Sequence, residues 1–407
     1  MTHSTPTVIE TPGKLPSQQV SATEIARRNK LAREVMERER VDALLICGNE
    51  YTGFEGAVRY ISGFEIVHRY VYALLPLNGD ARLIFPAEAR WIGDKSVPWI
   101  RDHIWADIPG KWIADYAKSQ NWKRLGFHGM EAVMAVRDYR ELTRSGLDLV
   151  SLDRPFDMAR AVKSDEEIQS IRHAMEIIED GFWALLEKYQ PGKTEAEIMA
   201  PAVEKFFAGG AGLQMMNIVL SGTGGGADAQ FKVPRDRKVG ADDLLLYSLE
   251  IAGPEGYWVE FSRPVIAGQI NATTQKMASV YPEALEAARR LMRDGEPIKN
   301  VHKAAAEIFA KQGFSLGHLS GHSIGMTMIE HPAIGASSET LLRENMVFSF
   351  HPQVVDQDGK VCLYTQDTYR VGRKEGENFA NVEWKFYNGS EKRPPRSPNS
   401  TGKAGRS

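Results

Sequence analysis

The chain has 407 residues, enough for two domains that each bury most of their apolar surface. A net charge of −3, with 43% hydrophobic and 25% charged residues, provides no long-range pull toward nucleic acid or an acidic membrane. The two cysteines, Cys47 and Cys362, form no disulfide framework and suit a reducing compartment, so a cytoplasmic protein is expected. The opening MTHSTPTVIETPGKLP has no basic segment followed by an apolar run, so no signal peptide is expected. No apolar stretch approaches the ~18 residues that span a bilayer.

Residues 1–20 are polar and read as a flexible arm. From Ala22 to Leu152, short apolar runs (DALLIC, YVYALLPL, ARLIFP) alternate with helix-like stretches. This predicts an α/β domain with a mixed sheet over 21–158. A second domain is expected over 159–385. Its first helix starts at Ser164, with Glu167 completing a capping box, and buries a stripe of Ile168, Ile171, Met175, Ile178, Phe182 and Leu185. Pro191 and Gly192 end it. Thr194 and Glu197 repeat the capping pattern for a second helix, which Pro201 is expected to bend. The runs DDLLLYSLEI, GYWVEFSRPVIAG, ENMVFSFHPQVV and KVCLYTQDTYRVG read as strands, with helices near 274–292 and 298–312 between them. Helices with antiparallel strands around them make an α+β layer design. The tail 386–407, rich in Pro, Ser, Gly, Lys and Arg, is expected to be disordered.

The segments AVKSDEEIQSIRHA, PGKTEAEI, SGTGGG, GYWVEFSRP, GHSIGM, ENMVFSFHPQV and TQDTYRVG follow one another over residues 160–375. In this order they resemble the creatinase, aminopeptidase P, prolidase and methionine aminopeptidase superfamily, which has the pita-bread fold. RYISGF at 59–64 is similar to a segment of the N-terminal domain in the creatinase and prolidase branch. The resemblance implies a C-terminal pita-bread domain and a homodimer.

The resemblance also implies a metal centre of two aspartates eleven residues apart, a histidine in a GHxxG turn and two later glutamates, and this chain departs from it. Glu260 stands at the second aspartate; counting back eleven reaches Leu249, with Ser248 and Glu250 beside it. His322 keeps the turn histidine, His351 replaces one glutamate, and Gln366, with Asp367 beside it, replaces the other. Where the family has its second histidine this chain has Ile329, and His331 lies two positions on. Two dications ~4 Å apart repel by roughly 17 kcal/mol at an effective dielectric of ~20. Glu260 alone is a secure carboxylate for such a pair, so a dinuclear metallopeptidase is not expected.

Two readings of Glu260, His322 and His351 stay open. In one, no cofactor binds and the three act directly in acid–base catalysis. In the other they hold one divalent Fe or Zn as a two-histidine, one-carboxylate set. Each residue also has an ordinary reading: a strand-edge carboxylate, a turn histidine bonded to backbone, and a satisfied core histidine. Glu260 lies between Val259 and Phe261 in an apolar strand, where a lone carboxylate is costly. Substrate contacts are expected from Glu250, Trp258, His331, Gln366 and Asp367, and from Arg69, which by the resemblance approaches the other subunit's pocket. The expected function is hydrolysis of a C–N bond in a small, partly apolar or aromatic non-peptide metabolite, as in creatinase. The alternatives are a lyase that breaks a C–C or C–S bond after proton abstraction, and a pseudo-peptidase that binds a protein partner.

Overall fold

The computed structural model describes residues 20–50, 54, 56–91, 98–212 and 215–395. The expected arm at 1–20 lies outside these residues except for Val20, and so does the end of the expected tail, 396–407. No described helix is long and apolar enough to cross a membrane.

Helix α1 (Ala22–Glu39) is capped by the Ser21 hydroxyl and leads into β1 (Ala43–Asn49), α2 (Gly56–Ser62), β2 (Tyr70–Pro76), β3 (Arg82–Pro86) and β4 (Asp102–Ala106). Then come α3 (Pro109–Ser119), β5 (Arg124–His128), α4 (Met130–Val133), α5 (Val136–Arg144), β6 (Asp148–Ser151) and α6 (Asp153–Ala161). The six strands form one sheet in the order β4-β3-β2-β1-β5-β6. β2 runs antiparallel to β1 and β3, while the other pairs are parallel, so the sheet is mixed.

α7 (Asp165–Lys188) and α8 (Glu195–Ala208) both begin with complete capping boxes, Ser164 with Glu167 and Thr194 with Glu197. Two otherwise orphaned backbone donors are satisfied at each start. All six residues of the expected α7 stripe are buried. α8 runs on through Pro201. Strands β7 (Met215–Gly222), β8 (Ala227–Asp228), β9 (Leu244–Ala252) and β10 (Trp258–Phe261) follow, then helices α9 (Ala272–Leu291) and α10 (Ile298–Lys311). The remaining strands are β11 (Ser315–Leu316), β12 (Gly321–Ser323), β13 (Glu330–Ile334), β14 (Val347–Phe350), β15 (Val354–Val355), β16 (Val361–Leu363), β17 (Asp367–Arg370) and β18 (Glu377–Asn378).

These strands build three sheets, β10-β9-β7, β11-β15-β16-β8 and β13-β12-β14-β17-β18. Helices α7 and α8 pack together, with α7 against β9 and β10; α9 and α10 form the matching pair, with α9 against β16. The hairpin from β14 to β17 passes between sheets. β14 pairs with β17 in the five-stranded sheet, and β15 with β16 in the four-stranded one. Residues 351–353 and 364–366 are the two crossings. The ordered chain also extends past residue 385. Tyr387 is buried, sits edge-on to Phe182 (centroids 5.2 Å apart) and bonds through its backbone to Pro264 and Ile266. A buried aromatic ring outweighs the polar composition around it, so the expected disorder does not begin at 386.

Candidate active site

In the antiparallel β9–β10 pair, Glu250 stands directly opposite Glu260. Side chains alternate along a strand, so Ser248 shares the Glu250 face while Tyr247, Leu249 and Ile251 enter the apolar core. His322 comes from β12, which pairs with β14 so that His322 faces Ser349. The glycine before it is a steric need: a Cβ on Gly321 would lie 2.1 Å from the Ser349 carbonyl oxygen. His351 occupies the first crossing, its backbone N–H donating to the Ser320 carbonyl at 2.8 Å. Gln366 occupies the second.

The three expected catalytic side chains converge. Glu260, His322 and His351 each offer one ligand atom, and these lie within 4.8 Å of one another. His322 Nε2 is 3.4 Å from Glu260 Oε1. His322 Nδ1 is 3.2 Å from the Ser323 carbonyl, which places the proton on Nδ1 and leaves the Nε2 lone pair facing Glu260. The Ser349 hydroxyl and the Gln366 amide (2.9 Å) both donate to Glu260 Oε2, so Oε1 is left toward His322. Gln366 also donates to Glu250 Oε1 at 3.0 Å, and the Ser248 hydroxyl bonds both Glu250 and Gln366. One amide thus joins two buried carboxyl groups.

Burial, and then the charge of Glu260, pushes the Glu250 carboxyl up to about 8. Burial pushes Glu260 up to about 7, against the pull of its bonds from Ser349 and Gln366. Burial also lowers both histidines, His351 well below the ordinary imidazole value with His322 and His318 adding to the effect. The imidazoles therefore stay neutral at working pH, with lone pairs free to coordinate.

These residues fit a divalent cation. Two ligand atoms each ~2.1 Å from a tetrahedral ion lie ~3.4 Å apart, the separation found between His322 and Glu260. His351 Nδ1 is buried with no hydrogen-bond partner, an orphan that a ligand would satisfy. Two imidazoles and a carboxylate are a donor set for Zn(II) or Fe(II).

Of the expected substrate contacts, Glu250 and Gln366 join this cluster and the others stand outside it. Trp258 is wholly buried in the apolar core, its backbone N–H donating to Gly325. Asp367 pairs with the buried Arg263 at 2.9 Å. Side chains of consecutive residues in an extended segment point to opposite sides, so Asp367 turns away where Gln366 turns in. His331 is exposed and bonds through its backbone to Asp157. Arg69 is exposed in a left-handed turn before β2.

Further residues complete the cluster. Ser248, named in the sequence only as a neighbour of the first aspartate position, and Ser349, not anticipated, each lie two positions before an expected site residue, so strand alternation marks both. His318, Tyr364 and Phe231 form a run of rings beside His351. Centroids are 5.1 Å apart for His322 and His351, 5.3 Å for His351 and His318, and 6.1 Å for His351 and Tyr364. Phe231 then meets Tyr364 at 5.3 Å and His318 at 5.7 Å. No local pattern marks Phe231 or Tyr364, because strands distant in sequence bring them together.

Metallopeptidase family M24 matches residues 169–373, and the Creatinase/Prolidase N-terminal domain matches residues 27–162; the chain belongs to metallopeptidase family M24. It is 24% identical over 359 residues to an Xaa-Pro dipeptidase of Pyrococcus horikoshii, which covers 86% of this chain and 95% of the relative. An Xaa-Pro dipeptidase of Pyrococcus furiosus is 26% identical over 274 residues, 66% of this chain and 76% of that one. Among solved structures, an X-Pro aminopeptidase from Thermotoga maritima superposes with a TM-score of 0.75 at 22% identity, over 88% of this chain and 99% of that one. The α+β pita-bread fold with its mixed-sheet N-terminal domain is thereby established.

This membership corrects the functional expectations. The non-peptidase hydrolase of a C–N bond, the lyase and the partner-binding pseudo-peptidase give way to a family of metallopeptidases whose relatives include Xaa-Pro dipeptidases. Catalysis without a metal is overturned on the same ground, and the exclusion of a dinuclear metallopeptidase no longer stands. The physical reason lies in what a carboxylate count measures. It bears on how much cation charge a cavity can neutralise and does not decide whether the cavity binds cations at all. Neutral imidazoles are strong ligands that such a count leaves out.

Proposed function

We propose that this protein is a metal-dependent peptidase of short substrates, dipeptides of the Xaa-Pro kind, with a divalent cation held by Glu260, His322 and His351. The observation that carries the reading is the convergence of those three ligand atoms within 4.8 Å in a family of metallopeptidases. A cation there supplies Lewis acidity toward the scissile carbonyl. The chain's own residues do the positioning. The Ser323 carbonyl fixes the His322 ring, and Ser349 and Gln366 fix the Glu260 carboxylate. Glu250, held by Ser248 and Gln366, is the polar group that meets the substrate.

In this reading an N-terminal domain over 21–158 supports a catalytic domain over 159–385. The protein works as a cytoplasmic homodimer, where the buried thiols of Cys47 and Cys362 stay reduced. The test is metal analysis of untagged protein together with hydrolysis of a panel of Xaa-Pro dipeptides. A retained divalent ion is expected, and His351→Ala should lose both the ion and at least about 100-fold in activity. Protein that retains no ion after loading and leaves every dipeptide intact would refute the reading.

A further inference from the structure

Phe231 is a large aromatic residue left 40% exposed although its ring packs against two rings of the site. It meets Tyr364 edge-on, at an interplanar angle of 81°, and lies tilted on His318 at 47°. Tyr364 is itself buried, with its ring centroid 6.1 Å from that of His351, and burial followed by the charges of Glu250 and Glu260 pushes its phenol well above the ordinary range. His318 keeps Nδ1 on the Leu319 carbonyl at 2.6 Å, which leaves Nε2 as an acceptor, and that atom is buried without a partner. One wall of the site therefore offers aromatic surface, part of it exposed on Phe231, with the unpartnered Nε2 of His318 beside it.

We propose that Phe231, with Tyr364 and His318, forms a specificity subsite for an aromatic side chain of the substrate, and that Phe231 determines the preference. The proposal rests on the peptidase reading for its substrate class. Aromatic rings favour edge-to-face contact at centroid separations near those already present here, whereas a small aliphatic group would leave the exposed Phe231 surface uncovered. An aromatic contact together with the apolar area it buries corresponds to a preference of about tenfold.

The experiment compares Phe-Pro with Ala-Pro as substrates of the metal-loaded full-length protein and of its Phe231→Ala and Phe231→Tyr variants. Phe231→Ala should raise KM for Phe-Pro about tenfold more than it raises KM for Ala-Pro, with kcat little changed, while Phe231→Tyr keeps the wild-type preference. In parallel, phenylalanine and alanine are titrated calorimetrically into the same proteins, a readout that needs no cleavage. Wild type should bind phenylalanine more tightly, and Phe231→Ala should abolish the difference. Equal loss on both substrates, or equal affinity of wild type for both amino acids, overturns the subsite. A phenylalanine preference that depends on Phe231 without dipeptide cleavage would leave the subsite standing and refute the peptidase reading instead.

Discussion

At the scale of single residues, Glu260, His322 and His351 were legible because each sits in a context that ordinary packing does not favour. An acid lies inside an apolar strand, one histidine follows a glycine in a turn, and the other precedes a proline. Tyr364 and Phe231 were not legible, since an aromatic residue in a strand or loop looks like core until distant strands are brought together. Asp367 shows the reverse: an acid beside a site position turns toward Arg263 and pairs there. Two expectations follow from the bonds around Glu260. Removing the Ser349 hydroxyl, as Ser349→Ala, should weaken metal binding by about tenfold, since a partner that orients the carboxylate proposed as a ligand is lost. Competition with a metal-sensitive chelating dye would measure it. Gly321→Ala should be far more damaging, because its Cβ collides with the Ser349 carbonyl and the backbone must move. A lowered Tm together with lost metal would be seen in a thermal melt and metal analysis of the same sample.

At the scale of elements, both capping boxes and the α7 stripe could be read directly, because a helix start depends on residues three apart. Ser164→Ala should therefore cost about 1 kcal/mol, measurable as a lower denaturant midpoint with an unchanged slope. The strands were harder. The runs at 344–355 and 360–372 each read as one strand, yet each divides in two where the chain passes from the five-stranded sheet to the four-stranded one. Local sequence reports extended backbone without revealing which sheet it joins. The crossings are where His351, Tyr364 and Gln366 sit, and of these Tyr364 was hidden by the same long-range pairing that hid the sheet order.

At the scale of the whole molecule, a buried ionic network ties the N-terminal sheet to the C-terminal half. Asp157 in α6 accepts from His128 at the end of β5 (2.9 Å) and from Arg160 (2.8 Å), and Glu330 of β13 pairs with Arg160 (3.2 Å) and Lys163 (3.0 Å). Burial opposes ionisation of Asp157, but Arg160 and His128 outweigh it and hold the carboxyl well below the usual range. A carboxyl with a depressed native pKa stabilises the fold above its unfolded value of ~3.9 and loses that contribution as pH falls further. The protein should thus lose stability from about pH 4 downward on account of Asp157, and Asp157→Asn should flatten that limb in denaturant titrations at pH 3 to 5.

The proposed ligand triad draws on separate parts of the C-terminal half: Glu260 from the three-stranded sheet, His322 from the five-stranded one, and His351 from the turn that leaves the latter for the four-stranded sheet. A cation at that point would act as a rivet through a seam. Pulling it with a chelator should let amides along the edges, around Ser320–Ser323 and Gln366–Thr368, exchange with deuterium sooner, while the middle of β9 keeps its protection.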